Sequence, residues 1–437
     1  MAQITEKLTS EKTSLKRVQE GAMNGILAIQ HLIAMFGATV LVPILIGLDP
    51  SVALFSAGMG TLIFHACTKG KVPVFLGSSF AFIPVIVAVG AQFNGDLRYA
   101  QGGMVVVGLI YVAVSLLIKK IGLDKIKKFL PARVVGPMIM VIGLNLIPTA
   151  LDMAGVNSLV AGESGALTTV IIAAITLSVT LIIKTFGKGF LKQIAILIGV
   201  VVGYCISLGL NLVDVAQIQN ASIIAVPNFT LPKFDISAIL IVVPVILAVL
   251  MEHVGDITTN GQVVGQNFIE DPGLNRTLLG DGLATLAASL VGGPANTTYG
   301  ENTGVLAITK NYNPAILRLA AVFAVMLAFI EKVGAAIRTI PNSVMGGISL
   351  MLFSMIAIVG VQTIKREKVK FNIANIIIMA SILFVGLGEN IFGISIGIKV
   401  TEAVSISGLS LASIIGVTLN IIVMFIENMK AKKKAVK

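Results

Sequence analysis

Acidic residues in apolar surroundings are the first candidates for chemistry in this sequence. Glu252 follows an apolar run that starts at Ile239, and Asp256 comes four residues later. Residues four apart share one face of a helix. A carboxylate at membrane depth costs roughly 2.5–3.5 kcal/mol on insertion scales, and such residues usually line pathways. We interpret Glu252 as a carboxylate that binds substrate or protons, and Asp256 either as its partner or as a polar helix end.

A further carboxylate, Glu301, lies in a polar interruption of the apolar sequence. The stretch Asn296–Lys310 follows Gly292-Gly293-Pro294 and contains Tyr299-Gly300-Glu301-Asn302. Irregular backbone at membrane depth is tolerated only where it lines a cavity or is buried in protein. This glycine-flanked carboxylate therefore indicates a binding site, with a short loop outside the membrane as the alternative.

Two carboxylates at one site would have two chemical properties. Two ionised carboxylates held close together repel each other, so one of them tends to bind a proton, as a proton-coupled carrier requires. Carboxylates also accept hydrogen bonds from the N–H groups of a planar, neutral, amide-like ligand. The side chain of Phe80 would give such a ring an apolar face, or else pack in the core. Backbone N–H groups at Phe80 and Gly300 would donate to the ligand's carbonyl groups.

Three other ionisable residues are secondary candidates. Asp281, between two glycines, either binds protons or bridges helices. His31 is either part of the framework of the site or a proton relay. His253 points away from the face of Glu252, and we interpret it as a packed or hydrogen-bonded core histidine.

The composition places these residues in a membrane protein. Of the 437 residues, 56% are hydrophobic and 12% are charged, and the mean hydropathy is +0.97. Soluble domains carry about 25% charged residues, so we predict an all-α integral membrane protein. Two cysteines and three histidines, at unsuitable spacings, predict no disulfide framework, metal site or other cofactor. The net charge of +11 is attributed to cytoplasmic loops near anionic lipid, not to nucleic acid binding.

Apolar segments long enough to cross a bilayer recur along the whole chain. We predict fourteen spans, at residues 24–46, 51–67, 73–91, 101–118, 131–151, 166–186, 190–212, 237–256, 275–292, 294–309, 315–338, 341–363, 371–388 and 406–426. With alternating spans, most of the 32 Lys and Arg residues fall on the side of the N-terminus. Cytoplasmic loops carry an excess of these residues. We therefore predict cytoplasmic tails at 1–21 and 429–437 and a multi-pass protein of the cell membrane.

A short motif recurs about half a chain apart. Pro131-Ala-Arg-Val-Val-Gly136 opens the fifth predicted span, and Pro341-Asn-Ser-Val-Met-Gly346 opens the twelfth. Seven spans per half would invert the second half in the membrane. The third and tenth spans are interrupted at Pro73–Phe80 and Pro294–Glu301, where each contains Pro, Gly and small polar residues. Inverted repeats with interrupted helices are characteristic of secondary transporters.

Several longer motifs are specific enough to indicate a family. They are, in chain order, Gln30-His31-Leu32, Met35–Pro43, Gly70–Pro73, Leu76–Phe82, Glu252–Gly255, Asp271–Leu274, and Asn296–Gly304 with Thr309-Lys310. Together they resemble the nucleobase–ascorbate transporters (nucleobase:cation symporter-2), and within that family the bacterial uracil permeases. The resemblance covers nearly the whole chain.

This resemblance implies a fold and a mechanism. Fourteen helices would form two inverted seven-span repeats, with short strands in spans 3 and 10. Spans 1–4 and 8–11 (22–120 and 237–338) would form a core domain that binds substrate. Spans 5–7 and 12–14 (121–236 and 339–428) would form a gate domain and the contact of a homodimer. The activity would be uracil import by proton symport, through elevator-like alternating access.

The resemblance also assigns residues. The substrate-binding residues are expected to be Glu252, Glu301, Phe80, Gly300, Ala38 and Tyr299. The proton-coupling residues are expected to be Glu252, Asp256, Glu301, Asp281 and His31.

Two positions depart from the uracil permease pattern, which has histidine at Asp256 and asparagine at Asp281. Acids at both positions are similar to the xanthine and urate branch, but that branch has glutamine at Glu301. A purine permease and a sodium-coupled nucleobase carrier therefore remain alternatives. A membrane-embedded enzyme is disfavoured because the sequence has no HExxH motif. A channel is disfavoured by the inverted repeat with interrupted helices.

Overall fold

The structure of the chain is a computed structural model that describes residues 2–122, 131–394, 396–401 and 404–435. The elements of the first half are, in chain order, α1 (Ala2–Ile46), α2 (Pro50–Cys67), β1 (Leu76–Ser78), α3 (Ile83–Gln92), α4 (Arg98–Ile121), α5 (Ala132–Met153), α6 (Val156–Val160), α7 (Ala166–Phe186), α8 (Phe190–Gln193), α9 (Ala195–Gly209) and α10 (Val215–Asn220). Those of the second half are α11 (Ile236–Val242), α12 (Ile246–Val264), α13 (Leu274–Leu290), β2 (Asn296–Thr298), α14 (Gly300–Thr309), α15 (Pro314–Ala328), α16 (Glu331–Arg338), α17 (Asn342–Arg366), α18 (Ile373–Phe392), β3 (Gly397–Thr401), β4 (Val404–Ser407) and α19 (Gly408–Ala435).

Within the described ranges, eight helical segments are long and apolar enough to cross a bilayer. They are Gly21–Ile46, Pro50–Cys67, Arg98–Lys120, Ala132–Met153, Ala166–Phe186, Ile236–Val264, Asn342–Arg366 and Gly408–Glu427. Shorter apolar helices lie at Phe80–Gln92, Ala195–Gly209, Pro314–Ala328 and Ile373–Gly388. Each of the fourteen predicted spans overlaps helical residues, and fourteen membrane crossings stay a prediction. Lys125, Lys127, Lys128 and Lys437, which we predict to be cytoplasmic, lie outside the described residues.

Three predicted spans contain breaks that the apolar pattern did not indicate. A 3₁₀ turn at Val243–Val245 separates α11 from α12. Pro244 lies in this turn, and proline cannot donate a backbone hydrogen bond. The predicted span 315–338 is two helices that meet at Phe329-Ile330, and the predicted span 190–212 changes from α8 to α9 at Ile194.

Two three-residue strands from opposite halves of the chain pair with each other. β1 runs antiparallel to β2, with Leu76 opposite Thr298 and Ser78 opposite Asn296. All six residues are buried. At one position of each strand, a threonine from a neighbouring helix bonds both backbone groups. Thr61 on α2 contacts the N–H and C=O of Leu76 at 2.9 and 3.4 Å, and Thr285 on α13 contacts those of Asn296 at 3.3 and 3.0 Å.

The remaining helices pack as two sets. α4 runs along α13, and α2 packs against α13 and α15. Gly108 and Gly282 allow the first of these contacts, because a Cβ at Gly108 would lie 2.9 Å from Gly282 O. α5 runs along α17 and also contacts α18, while α7 contacts α9 and α17. We call α1–α4 with α12–α15 the first set, and α5, α7–α9 and α17–α19 the second set.

A hairpin that the sequence did not indicate connects α18 to α19. β3 pairs antiparallel with β4, with Gly397 opposite Ser407 and Ile398 opposite Ile406. The ladder has an irregularity between Lys399 and Thr401. We predicted a connecting segment up to residue 405 and a span from 406, but β4 extends to Ser407 and α19 begins at Gly408. Strands this short leave no hydropathy signal of their own.

Candidate substrate-binding site

Each strand of the β1–β2 pair leads directly into a short helix. Phe80 begins the 3₁₀ turn Phe80–Phe82 in front of α3, and Gly300 begins α14. The N–H groups of a first helical turn have no acceptor within their own helix. Gly300 is exposed, and a Cβ there would meet no atom within 4 Å. Open space therefore lies next to a set of backbone donors.

Three of the predicted carboxylates converge beside β2. Glu252 and Asp256 lie on α12, Glu301 lies in the first turn of α14, and each is partly buried. Asp256 accepts a hydrogen bond from Thr298 Oγ1 at 3.1 Å. Glu252 is within electrostatic range of Glu301 and Asp281, and Asp256 is within range of all three. The site therefore concentrates negative charge next to the start of α14.

Ala38, Tyr299 and Phe80 are grouped around β1. Ala38 and Tyr299 belong to one buried apolar cluster, against which the half-buried Phe80 packs. The Tyr299 hydroxyl donates to Ser78 O at 2.9 Å, and Ser78 Oγ donates to Thr39 O at 3.0 Å. The Tyr299 side chain thus ties the strand pair together and to α1. Its contact with a ligand stays a prediction.

His31 contacts α14 and not the carboxylates directly. Asn302 Nδ2 donates to His31 O at 2.9 Å and lies 3.2 Å from His31 Nδ1. Both residues are buried. His31 therefore links α1 to the helix that carries Glu301, and its role as framework or as proton relay stays a prediction.

Asp281 and His253 form a buried pair behind Glu252. His253 Nδ1 lies 2.6 Å from Asp281 Oδ2, and His253 Nε2 lies 3.0 Å from Thr277 Oγ1. The interpretation of His253 as a hydrogen-bonded core histidine is confirmed. Asp281 also bridges α12 and α13, as one of its two interpretations required.

Two polar residues near the site were not among the sequence candidates. Thr298 bonds Asp256, and Asn260 Nδ2 donates to Pro73 O and to Thr303 Oγ1, both at 3.1 Å. A signal for Asn260 was present, because it follows Asp256 by four residues and shares its helix face. Thr298 gave no such signal, since its role depends on which helix packs against β2.

Three glycines of the first set receive side chains from the second set. The pairs are Gly37 with Ile196, Gly304 with Gln193, and Gly255 with Arg366. A Cβ at Gly37 would lie 2.8 Å from Ile196 Cγ2, and one at Gly255 would lie 3.6 Å from Arg366 Nη2. All three glycines are within three residues of a predicted site residue.

A cleft of about 590 Å³ separates the two sets elsewhere. Its lining includes Ala88 and Gln92 near the end of α3, Thr149 on α5, Phe353 on α17 and Ser407 of β4. The lining contains no charged residue and does not include the carboxylates. The boundary between the sets is therefore closed at the glycines and open at this cleft.

Apolar helices in two packed sets, with acids beside paired strand ends, define a helical membrane transporter. The family model of the xanthine and uracil permeases (Xan_ur_permease, described as the permease family) matches residues 24–392. The chain belongs to this family, the nucleobase:cation symporter-2 transporters. It is therefore a multi-pass membrane protein of a family of nucleobase transporters and not an enzyme.

Curated relatives match over most of their length. The chain is 43% identical over 411 residues to a probable uracil permease of Haemophilus influenzae, covering 94% of this chain and 96% of that one. It is 42% identical over 403 residues to the uracil permease of Bacillus subtilis, covering 90% and 91%. Among solved structures, SLC26A9 superposes with a TM-score of 0.68 at 12% identity. That match covers 93% of this chain and 66% of SLC26A9, and it supports the fold alone.

Proposed function

We propose that this protein imports uracil by proton symport. The observation that carries the proposal is the convergence of Glu252 and Glu301 beside the open start of α14. The relatives named uracil permease support the choice of substrate.

In this proposal, the site recognises a neutral planar ring with alternating N–H and C=O groups. Glu252 and Glu301 accept hydrogen bonds from the ring N–H groups, because ionised carboxylates are strong acceptors. Backbone N–H groups at Phe80 and Gly300 donate to the ring carbonyls. The Phe80 side chain covers one face of the ring, and the small side chain of Ala38 leaves room for it.

Proton coupling follows from the charge of the site. Carboxylates within electrostatic range cannot all stay ionised at low cost, so a proton bound among Glu252, Asp256, Glu301 and Asp281 stabilises the site. Such a proton favours ligand binding, and the ligand favours proton binding to the same extent. His31 supports this arrangement through Asn302.

The movement that carries the substrate would take place between the two sets of helices. We propose that the first set is the core domain and the second set the gate domain, in a fourteen-span homodimer with both termini in the cytoplasm. The packing of α4 on α13 and of α5 on α17 supports this division. An elevator-like displacement of the core along the gate would expose the site to each side in turn.

Uptake of labelled uracil into proteoliposomes tests the proposal. We expect accumulation that needs an inward proton gradient, that a protonophore abolishes, and that a sodium gradient cannot replace. Uptake driven by sodium alone would contradict proton symport. An excess of unlabelled xanthine should leave uptake unchanged.

A purine carrier is the second candidate, because this chain has acids at positions 256 and 281, as the xanthine and urate branch does. Strong competition by xanthine, or uptake of labelled xanthine in place of uracil, would favour it.

A further inference from the structure

The chain passes from the second set of helices to the first through a segment that belongs to no helix or strand. This segment follows α10, precedes α11 and comprises residues 221–235, and we call it the strap. Backbone N–H and C=O groups away from water need hydrogen-bond partners. The strap has no helix or ladder of its own to supply them, so its partners show where it is attached.

One end of the strap pairs with the connection that follows α15. Ile224 lies opposite Ile330 in an isolated antiparallel bridge. The residue after Ile224 donates its N–H to the C=O of the residue before Ile330 at 3.0 Å, and the residue after Ile330 donates to the residue before Ile224 at 3.1 Å. Because both bonds lie outside the pair, the two isoleucines form a non-hydrogen-bonded pair, the closer of the two kinds of antiparallel pairing.

Three other backbone N–H groups of the strap donate to the ends of further helices of the first set. The bonds are Asn228 N to Asp49 Oδ2 at 3.3 Å, Thr230 N to Val291 O at 3.2 Å, and Lys233 N to Arg98 O at 2.9 Å. Asp49 caps the start of α2, Arg98 begins α4, and Val291 follows the end of α13. With the bridge after α15 included, the strap bonds the ends of four helices of the first set.

Side chains and one glycine add to this attachment. Lys233 Nζ pairs with Asp96 Oδ2 at 2.9 Å. The ring of Phe229 packs edge-on against that of Phe55 on α2, with 5.0 Å between the ring centroids. A Cβ at Gly102 on α4 would collide with Lys233 O. The absence of a side chain at Gly102 therefore allows the strap to lie directly on α4.

The helix before the strap is attached on the same side. Lys332 Nζ on α16, a helix that contacts α2, donates to the C=O groups of Ile218 and Gln219 on α10 at 3.4 and 3.5 Å. Between α9 and α10 the bonds are local, because the N–H groups of residues 210–212 and 215 donate to C=O groups of residues 206–213. Asn211 has a φ of +57°, which asparagine adopts more readily than most residues. The chain therefore changes from one set to the other at residues 210–214.

We propose that the strap and α10 move with the first set and hold its helix ends together as one rigid body, while the chain bends at residues 210–214. This inference rests on the proposed movement between the two sets. It differs from the division implied by the resemblance, in which residues up to 236 belong to the gate domain. A strap that stayed with the second set would lose the bonds described above in each transport cycle, and the released groups would need new partners.

Hydrogen exchange measured by mass spectrometry tests the attachment without transport. Exchange is slow where bonded N–H groups rarely open, so we expect slow exchange in the strap and fast exchange at residues 210–214. Gly102→Val should speed exchange in the strap, because the added side chain displaces Lys233 O. Gly25→Val, at a glycine of α1 where a Cβ meets no atom within 4 Å, is the matched control. A wild-type strap that exchanges as fast as residues 210–214 would overturn the proposal, whatever the substrate is.

The movement is tested with two pairs of cysteines, in protein whose two native cysteines are replaced by alanine. Ile224→Cys with Ile330→Cys, the strap pair, joins the strap to the first set at the bridge. Gly37→Cys with Ile196→Cys, the boundary pair, joins the two sets. A Cβ at Gly37 would lie 3.5 Å from Ile196 Cβ, a separation that a disulfide can span.

Oxidation should leave uracil uptake by the strap pair within about twofold of its reduced value, and should lower uptake by the boundary pair at least about tenfold until a reductant restores it. A loss of uptake by the strap pair that a reductant reverses would overturn the proposal, because the strap would then have to move against the first set. Unchanged uptake by the oxidised boundary pair would contradict the movement between the sets and the part of the strap in it, whereas uracil import by proton symport would stand. If the wild-type protein takes up no uracil, the proposed function fails, and hydrogen exchange still decides whether the strap belongs to the first set.

Discussion

The β1–α3 segment and the β2–α14 segment have the same local structure but opposite chemistry. Each begins with a three-residue strand and continues into a short helix. In each strand, one threonine side chain forms hydrogen bonds with the N–H and the C=O of the first residue. No residue from Leu76 to Gln92 is charged, whereas the first turn of α14 contains Glu301. The local structure that the two segments share holds different side chains next to the same site. One segment adds an apolar face and backbone donors, and the other adds the acid.

The largest effect should come from removing the charge of the acidic segment. Glu301→Gln should abolish uracil uptake, because a hydrogen bond to a charged group contributes about 1.5–3 kcal/mol and, in the proposed symport, one of the acids that share the proton is removed. Glu252→Gln should have the same effect. The variants should still insert and elute as folded protein in size-exclusion chromatography. Wild-type uptake by either variant would show that the site lies elsewhere.

A matched pair of glycine substitutions compares how tightly the backbone is packed in the two segments. Gly77→Ala should destabilise the protein, since its Cβ would collide with the Tyr299 ring, whereas Gly300→Ala meets no atom within 4 Å. Overpacking typically costs about 1–3 kcal/mol. Thermal unfolding followed by fluorescence-detected chromatography should show a lower midpoint for Gly77→Ala alone. Equal midpoints would mean that the strand pair has room to adjust.

The apolar segment should contribute less binding free energy than the acidic one. Phe80→Ala should weaken uracil binding by about tenfold, consistent with an aromatic contact of about 0.5–1.5 kcal/mol. Phe80→Tyr should bind nearly normally. Equilibrium binding of labelled uracil to purified protein measures both variants. A loss as complete as that of Glu301→Gln would mean that both segments contribute equally.

Asp256 should tolerate change better than Glu252. A histidine ring nitrogen can still accept the hydrogen bond of Thr298 that Asp256 accepts now. We therefore expect Asp256→His to keep uptake within about tenfold of wild type, because only one supporting bond changes. Uptake kinetics of Asp256→His and Glu252→Gln, measured side by side, test this. Equal losses of uptake in the two variants would mean that Asp256 is as important to the site as Glu252.

The smallest effect is expected from a substitution at Asp96, in the loop that follows α3, and it concerns stability. Hydrogen bonds from Arg98 and then from Lys233 hold the pKa of Asp96 well below its usual range. A pKa that is lowered in the folded state stabilises the protein above the unfolded pKa, and this stabilisation is lost as the pH falls through the folded pKa. Asp96→Asn should therefore lower the unfolding midpoint slightly at pH 7. The difference from wild type should shrink in acid, and a constant difference would contradict an ionic origin.

The sequence located both segments but not their pairing. Proline, glycine and small polar residues marked the interruptions at Pro73–Phe80 and Pro294–Glu301. Three-residue strands are too short to have a period, so the register of Leu76 with Thr298 could not be read from the pattern.

The candidate site was also predictable only in part, because the sequence shows local spacing but not which distant elements pack together. The i, i+4 spacing placed Glu252 and Asp256 on one face of α12, and their surroundings of apolar residues marked them as exceptional. The partner of His253 could not be predicted, because helical periodicity gives the face of a residue but not the helix that packs there. Asp281 was recognised as a bridging acid without its partner.

In the proposed elevator-like mechanism, the three glycines at the boundary between the helix sets affect the rate of movement. Helices that meet through rows of side chains interlock at preferred angles, and each row is an obstacle to sliding. Gly37, Gly255 and Gly304 present bare backbone to Ile196, Arg366 and Gln193. The first set would therefore move along the second with little friction in the proposed mechanism. A methyl group added at Gly37 or Gly304, where it would lie less than 3.0 Å from the facing side chain, would slow the movement more than it would change the affinity at either end.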